Sequence, residues 1–139
     1  MAAYNKFNSF VEAVHEKKHD LSIDVFKIML TNVAPVATNS IKTDWTEIAA
    51  GNGYTAGGTA VTVSASSQTG GSYTAVLSGD TVFTASGGNI ANFQYAVLYN
   101  DTATNDELVS WWDYGSSITP ADGETFTVST NAVTLITAS

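Results

Sequence analysis

Both histidines of this chain fall in one pentapeptide, His15-Glu16-Lys17-Lys18-His19, which reads H-E-x-x-H. On a continuous helix, positions i and i+4 lie one turn apart, so two imidazoles can share a zinc ion while the glutamate activates a water. Three features weigh against that chemistry. The apolar stripe of the preceding segment places both histidines on its flank, at the end of the helix rather than within it. The chain has no third histidine and no cysteine to complete a catalytic ligand set. Only 14 residues precede the motif, too few to build the sheet that walls such a cleft. A solvated helix end, with Lys17, Lys18 and His19 facing the negative end of the helix dipole, accounts for the same residues.

Two other clusters have chemical potential. Trp111-Trp112-Asp113-Tyr114 is the densest aromatic group. Successive strand residues point to opposite faces, so Trp111 and Trp112 cannot both enter one core. One arrangement is a sugar-stacking platform with Asp113 as acceptor, which with Glu124 would suggest a glycosidase dyad. The other, preferred here, fills the core with one tryptophan and places the other at a protein interface, where Trp and Tyr are enriched. Asp101, Asn105, Asp106 and Glu107 offer hard oxygen ligands for calcium. Their spacing matches no calcium loop, and Asn/Asp tracts are ordinary turn formers. With both histidines on one segment no Ser-His-Asp triad is implied. The sequence therefore predicts no catalytic residue, metal site or cofactor, and no enzyme activity.

The charge pattern narrows the partners. All five lysines lie at or before Lys42, where four acids leave +1, and the chain has no arginine. The remaining 97 residues carry nine acids and no base, giving the formal −8. Such a surface repels nucleic acid phosphates and anionic membranes, so neither is an expected partner. Hydrophobic residues make up 44% and charged residues 13% of the chain, a low charged share that suits β structure solvated by Thr and Ser. No apolar run resembles a signal peptide or a membrane span, and the expectation is synthesis in the cytoplasm without export.

The elements that must position these residues follow from periodicity. Phe7, Phe10, Val11 and Val14 recur at helical spacing opposite Glu12 and Glu16, predicting an amphipathic helix from about Asn5 to His19-Asp20. From Leu21 the pattern alternates and then becomes nearly continuous, as in a strand buried on both faces, with Pro35 closing it. Residues 44–48 read as one helical turn with Thr43 or Asp44 as its cap. The glycines at 51, 53, 57 and 58 mark a long surface loop; the Lys-Ser/Thr pair of a phosphate-binding loop does not follow them. Strands are expected at 59–65, 72–78, 80–85, 93–100, 107–114, 124–129 and 132–137, with Phe93, Tyr95, Val97 and Tyr99 sharing one face. Short strands punctuated by turns every 8–12 residues predict a mainly β chain. Its body is a single β-sandwich or jelly-roll-like domain (21–139), preceded by one N-terminal amphipathic helix or arm (1–20).

Several phrases then accumulate: KFNSFVE (6–12), LTNVAPVATN (30–39), EIAAGNGYTAGG (47–58), FTASGG (83–88), YAVLYND (95–101) and WWDYGSS (111–117). In this order, over nearly the whole chain, they resemble a family of small virion structural proteins of tailed bacteriophages. The resemblance implies a capsid decoration (cement) protein on the capsid exterior, made in the bacterial host cytoplasm. It would bind and stabilise the major capsid protein lattice without a cofactor. It also implies a homo-oligomer, a trimer at capsid threefold positions being the commonest arrangement. The alternative is a tail, baseplate or fibre component that touches host-surface glycans through the Trp/Asp/Tyr cluster. For the capsid-bound form, the expected contact residues are Tyr4, Lys6, Phe7 and Phe10 toward the capsid. Trp111 or Trp112, with Tyr95 and Tyr99, is expected at protein interfaces, because large apolar patches mark contacts. A further expectation is that deleting residues 1–20 leaves a folded β domain that no longer binds particles.

Overall fold

The computed structural model describes residues 2–44 and 46–138. In chain order the elements are β1 (Ala3–Lys6), α1 (Ser9–His15), β2 (Phe26–Thr31), a 3-10 turn (Lys42–Asp44), β3 (Thr59–Thr69), β4 (Ser72–Ser78), β5 (Thr81–Thr84), β6 (Phe93–Asn100), β7 (Leu108–Ile118), β8 (Thr125–Val128) and β9 (Thr134–Ala138). The chain is mainly β and forms a β-sandwich-like unit with one short N-terminal helix. Seven strands join in the order β1-β7-β6-β2-β3-β4-β9, and β5 and β8 form a separate pair. Every pairing is antiparallel.

The long sheet becomes two layers through β3. Its first residues, Thr59 to Val61, pair with β2, and from Thr62 onward it pairs with β4. A register irregularity follows Val63, and bulges of this kind let one strand bend from one sheet into the next. Phe26, Ile28 and Leu30 of β2, Ala96 and Leu98 of β6, and Trp112 of β7 meet Ala75, Leu77, Phe83, Val128, Leu135 and Ile136 in the core between the layers.

β2 is buried on both faces, as its near-continuous apolar run predicts. The second face is covered by the segment from Ser40 to Gly58. Ile48 N–H donates to Leu30 O (3.0 Å), and the Tyr54 hydroxyl accepts from Leu30 N–H (3.2 Å) and donates to Glu47 Oε2 (2.7 Å). The Glu47 carboxylate also accepts from Gly57 N–H, while Tyr99 Oη donates to Gly57 O at 2.6 Å. Burial and the adjacent Glu47 push the Tyr54 phenol far above its ordinary pKa, so it is a permanent donor to that carboxylate. Two of the loop glycines are required by close approach. A Cβ at Gly58 (φ +79°) would lie 1.8 Å from Ile28 O, and one at Gly53 (φ +98°) 1.9 Å from Thr84 O. These glycines therefore pack a cover onto the sheet rather than cradle a ligand.

Four local expectations are corrected. Residues 3–6, expected at the helix start, form an edge strand paired to β7, and Phe7 N–H extends that pairing to Val109 O. The helix ends at His15 rather than near residue 20. The helical turn expected at 44–48 is displaced to Lys42–Asp44, where Asp44 Oδ2 accepts from the Ser40 and Ile41 amides; Trp45 lies outside the described residues. Finally, Phe93 leaves the face it was expected to share with Tyr95, Val97 and Tyr99. The register shifts after Phe93, and its ring packs edge-on to Phe126 at 4.7 Å.

Candidate functional site

The H-E-x-x-H motif is dismantled by the way its helix stops. Lys17 adopts φ +63°, Lys18 N–H reaches back to Ala13 O (2.8 Å) and Lys17 N–H to Val14 O (3.3 Å). This pair of bonds is a Schellman-type helix terminus, here with lysine where glycine is usual. His15 stays exposed on the helix, its Nδ1 2.8 Å from Val11 O. His19 turns inward and is only 4% exposed, its ring between Phe10 (5.3 Å) and Phe26 (6.0 Å). Among the described residues no group of three His, Cys, Asp or Glu side chains is placed to hold a metal ion.

His19 belongs instead to a buried polar network that the sequence did not announce. Asn100 Oδ1 accepts from the Thr102 and Ala103 amides (2.9 and 3.1 Å), which fixes its carboxamide orientation. Asn100 Nδ2 must then be the donor to Asp24 Oδ2 (2.6 Å) and to His19 Nδ1 (3.0 Å). A donor facing Nδ1 requires the neutral imidazole with its proton on Nε2. Burial holds the His19 pKa down to about 4 against the opposing pull of the Glu107 and Asp24 carboxylates, with Lys18 adding slightly to the depression.

Four buried side-chain atoms lack a partner among the described residues: Tyr4 Oη, His19 Nε2, Glu107 Oε2 and Ser110 Oγ. Two belong to the N-terminal segment and two to β7 and the turn leading into it. They therefore lie along one seam, where the segment from Tyr4 to Asp24 packs on the β6–β7 hairpin. Each such orphan costs about 1–3 kcal/mol unless water reaches it.

The acidic hairpin is occupied by its own structure. Asp101 pairs with Lys27 (2.9 Å), both about a third exposed; Glu107 is nearly buried and Asp106 sits at φ +51°. Burial raises the Asp106 carboxyl above its ordinary range, against the pull of Lys42. The carboxylates proposed for glycan hydrolysis are likewise committed locally. Asp113 Oδ1 accepts from Gln94 Nε2 (3.1 Å) and Gly115 N–H (2.8 Å), and Glu124 Oε1 accepts from Ala121 N–H (2.7 Å).

The expected contact residues divide sharply. Phe7 and Phe10 are in the core, so they cannot form the exposed capsid-binding surface expected of them; Phe7 stacks on Trp111 at 4.6 Å. Tyr99 is also fully buried, its hydroxyl spent on Gly57 O and Lys42 Nζ 4.9 Å from the ring centre, which removes it as an interface residue. Trp112 is the core tryptophan, 4% exposed, with Tyr4 half-buried against it at 5.1 Å. Trp111 and Tyr95 are half-buried on the opposite face, and Lys6 is exposed.

No protein-family model matches this chain, and neither a curated protein nor a solved structure shows significant similarity to it. Among the described residues no helix is long and apolar enough to cross a membrane.

Proposed function

We propose that this chain is a structural component of a tailed-bacteriophage virion, a capsid decoration protein that binds the outside of the major capsid protein lattice and associates with further copies of itself. What supports this reading is the resemblance of the ordered phrases read in the sequence, several of which meet in space. Leu30, Glu47, Tyr54, Gly57 and Tyr99, drawn from three of those phrases, are joined by the hydrogen bonds that lock the loop over β2 and β6. A fourth phrase supplies Thr84 against Gly53 and Ser86 N–H to Asn52 O at 3.0 Å. The residues of these phrases thus build a scaffold, which suits a protein whose work is to cover surface. The commitment of Asp113, Glu124 and the acidic hairpin to local bonds also favours a binding role over hydrolysis.

The capsid-facing surface is reassigned within this reading. With Phe7 and Phe10 in the core, half-buried Tyr4 and exposed Lys6 remain of the residues expected toward the capsid, and exposed Val11 and Lys17 join them; half-buried Trp111 and Tyr95 remain as further contacts. Immunogold labelling of purified virions tests the proposal. Label over heads is expected, and label confined to tails overturns it in favour of a tail component.

A further inference from the structure

The charges of this protein are unevenly distributed in three dimensions as well as in sequence. Residues 48–79 and 125–139 contain no Asp, Glu, Lys, Arg or His. All of β3, β4, β8 and β9 falls within these two stretches, so the whole β3–β4–β9 layer is uncharged in a chain of formal charge −8. Its exposed positions are uncharged and mostly hydroxyl side chains, among them Thr62, Ser64, Ser67, Thr69, Thr134 and Thr137, with Ala60 and Gln68 the exceptions.

The layer also ends in an open edge. β9 pairs with β4 on one side, and among the described residues no strand pairs with it on the other. A solvent-facing edge presents unpaired amides and carbonyls to any passing strand, and soluble proteins guard such edges with charge, proline or cover. The opposite edge of the same sheet, β1, carries Lys6. β9, Thr-Leu-Ile-Thr-Ala, carries neither charge nor proline.

We infer that the β9 edge and the uncharged layer behind it are the surface on which a second copy of this chain docks, by main-chain pairing along β9. The identity of the occupant follows from charge. Two molecules of net charge −8 repel, and the repulsion is least where neither surface carries charge. The uncharged layer is therefore the approach open to a like molecule. A partner selected by electrostatic complementarity would instead favour the acidic regions. This inference rests on the self-association part of the proposed function and is independent of the capsid part.

The test uses the full-length chain in solution, without particles. Sedimentation velocity should show an oligomer, and hydrogen exchange should show the β9 amides not bonded to β4 protected at high concentration and exposed on dilution. Thr137→Lys, at an exposed edge position, should weaken the self-association at least about tenfold, because it places like charges across the paired strands. Ala3→Lys, exposed on the β1 edge, should leave it unchanged. Circular dichroism of both variants establishes that they are folded; if Thr137→Lys does not fold, the wild-type exchange measurement decides by itself. A monomer at all concentrations overturns the inference. So does an oligomer whose outer β9 amides exchange as freely as in the monomer. In a separate assay with capsids, failure of the self-associating chain to bind them would count against the capsid reading alone.

Discussion

The seam beneath α1 and the β3–β4–β9 layer are built on opposite terms. The seam gathers His19, Asp24, Asn100, Glu107, Ser110 and Tyr4, and includes the four buried side-chain atoms without partners. The uncharged layer has no ionisable group that titrates near neutral pH, and its open valence is the backbone edge of β9. Stability at the seam therefore depends on protonation and on packing around polar groups. The layer should be indifferent to pH and sensitive to added charge. A single small fold thus separates the part that holds its N-terminal segment from an uncharged part with a strand edge unpaired among the described residues.

The largest expected effect comes from the seam. Phe10→Ala should destabilise the protein by about 3–5 kcal/mol, since a fully buried phenylalanine is truncated between the helix and His19. Denaturant unfolding should show it as a lower midpoint. For the same reason, deleting residues 1–20 should compromise folding rather than leave an intact β domain. A deletion variant with wild-type stability would refute the view that this segment is part of the core.

The cover over β2 comes next. Gly58→Ala should cost at least about 1–3 kcal/mol in backbone strain at φ +79°, and more because its methyl would meet Ile28 O. An unchanged melting temperature would mean that the loop does not press on the sheet as described.

The pH response distinguishes the two regions. His19 is held below its unfolded pKa of 6.5, at about 4, so folding favours the neutral ring. Its contribution is fully present above pH 6.5 and is lost as the pH falls from 6.5 toward 4, by at most about 1.4 kcal/mol per unit. Comparing unfolding midpoints at pH 7 and pH 5 should show this loss in the wild type and a smaller one in His19→Leu. Equal slopes would remove His19 as the sensitive group. The smallest expected effect is that of Tyr4→Phe. The hydroxyl lies buried beside that of Ser110 without a well-formed hydrogen bond, so removing it should change stability by roughly 0–1 kcal/mol, in the stabilising direction. A clear loss would indicate that Tyr4 Oη is bonded after all.

The strands were legible because turn residues bracket them. The Gly70-Gly71 and Asp80 turns delimit β4, and the run from Phe26 to Thr31 betrays a strand covered on both sides. The helix end was not legible, because Lys17 takes a left-handed conformation that glycine would have signalled. That single residue decides whether His15 and His19 share a helix face or part company. β1 was missed because four residues paired to β7 read locally like a helix start. The buried network around Asn100 joins positions about 80 residues apart, which no local pattern encodes. Trp111 and Trp112 were correctly separated by alternation, but which one enters the core depends on the register with Tyr4 and Ala96.

The copy number of this protein in purified virions tests the proposed function most directly. Quantitative mass spectrometry should find it at a level comparable to the major capsid protein. A handful of copies per particle would contradict its assignment as a decoration protein.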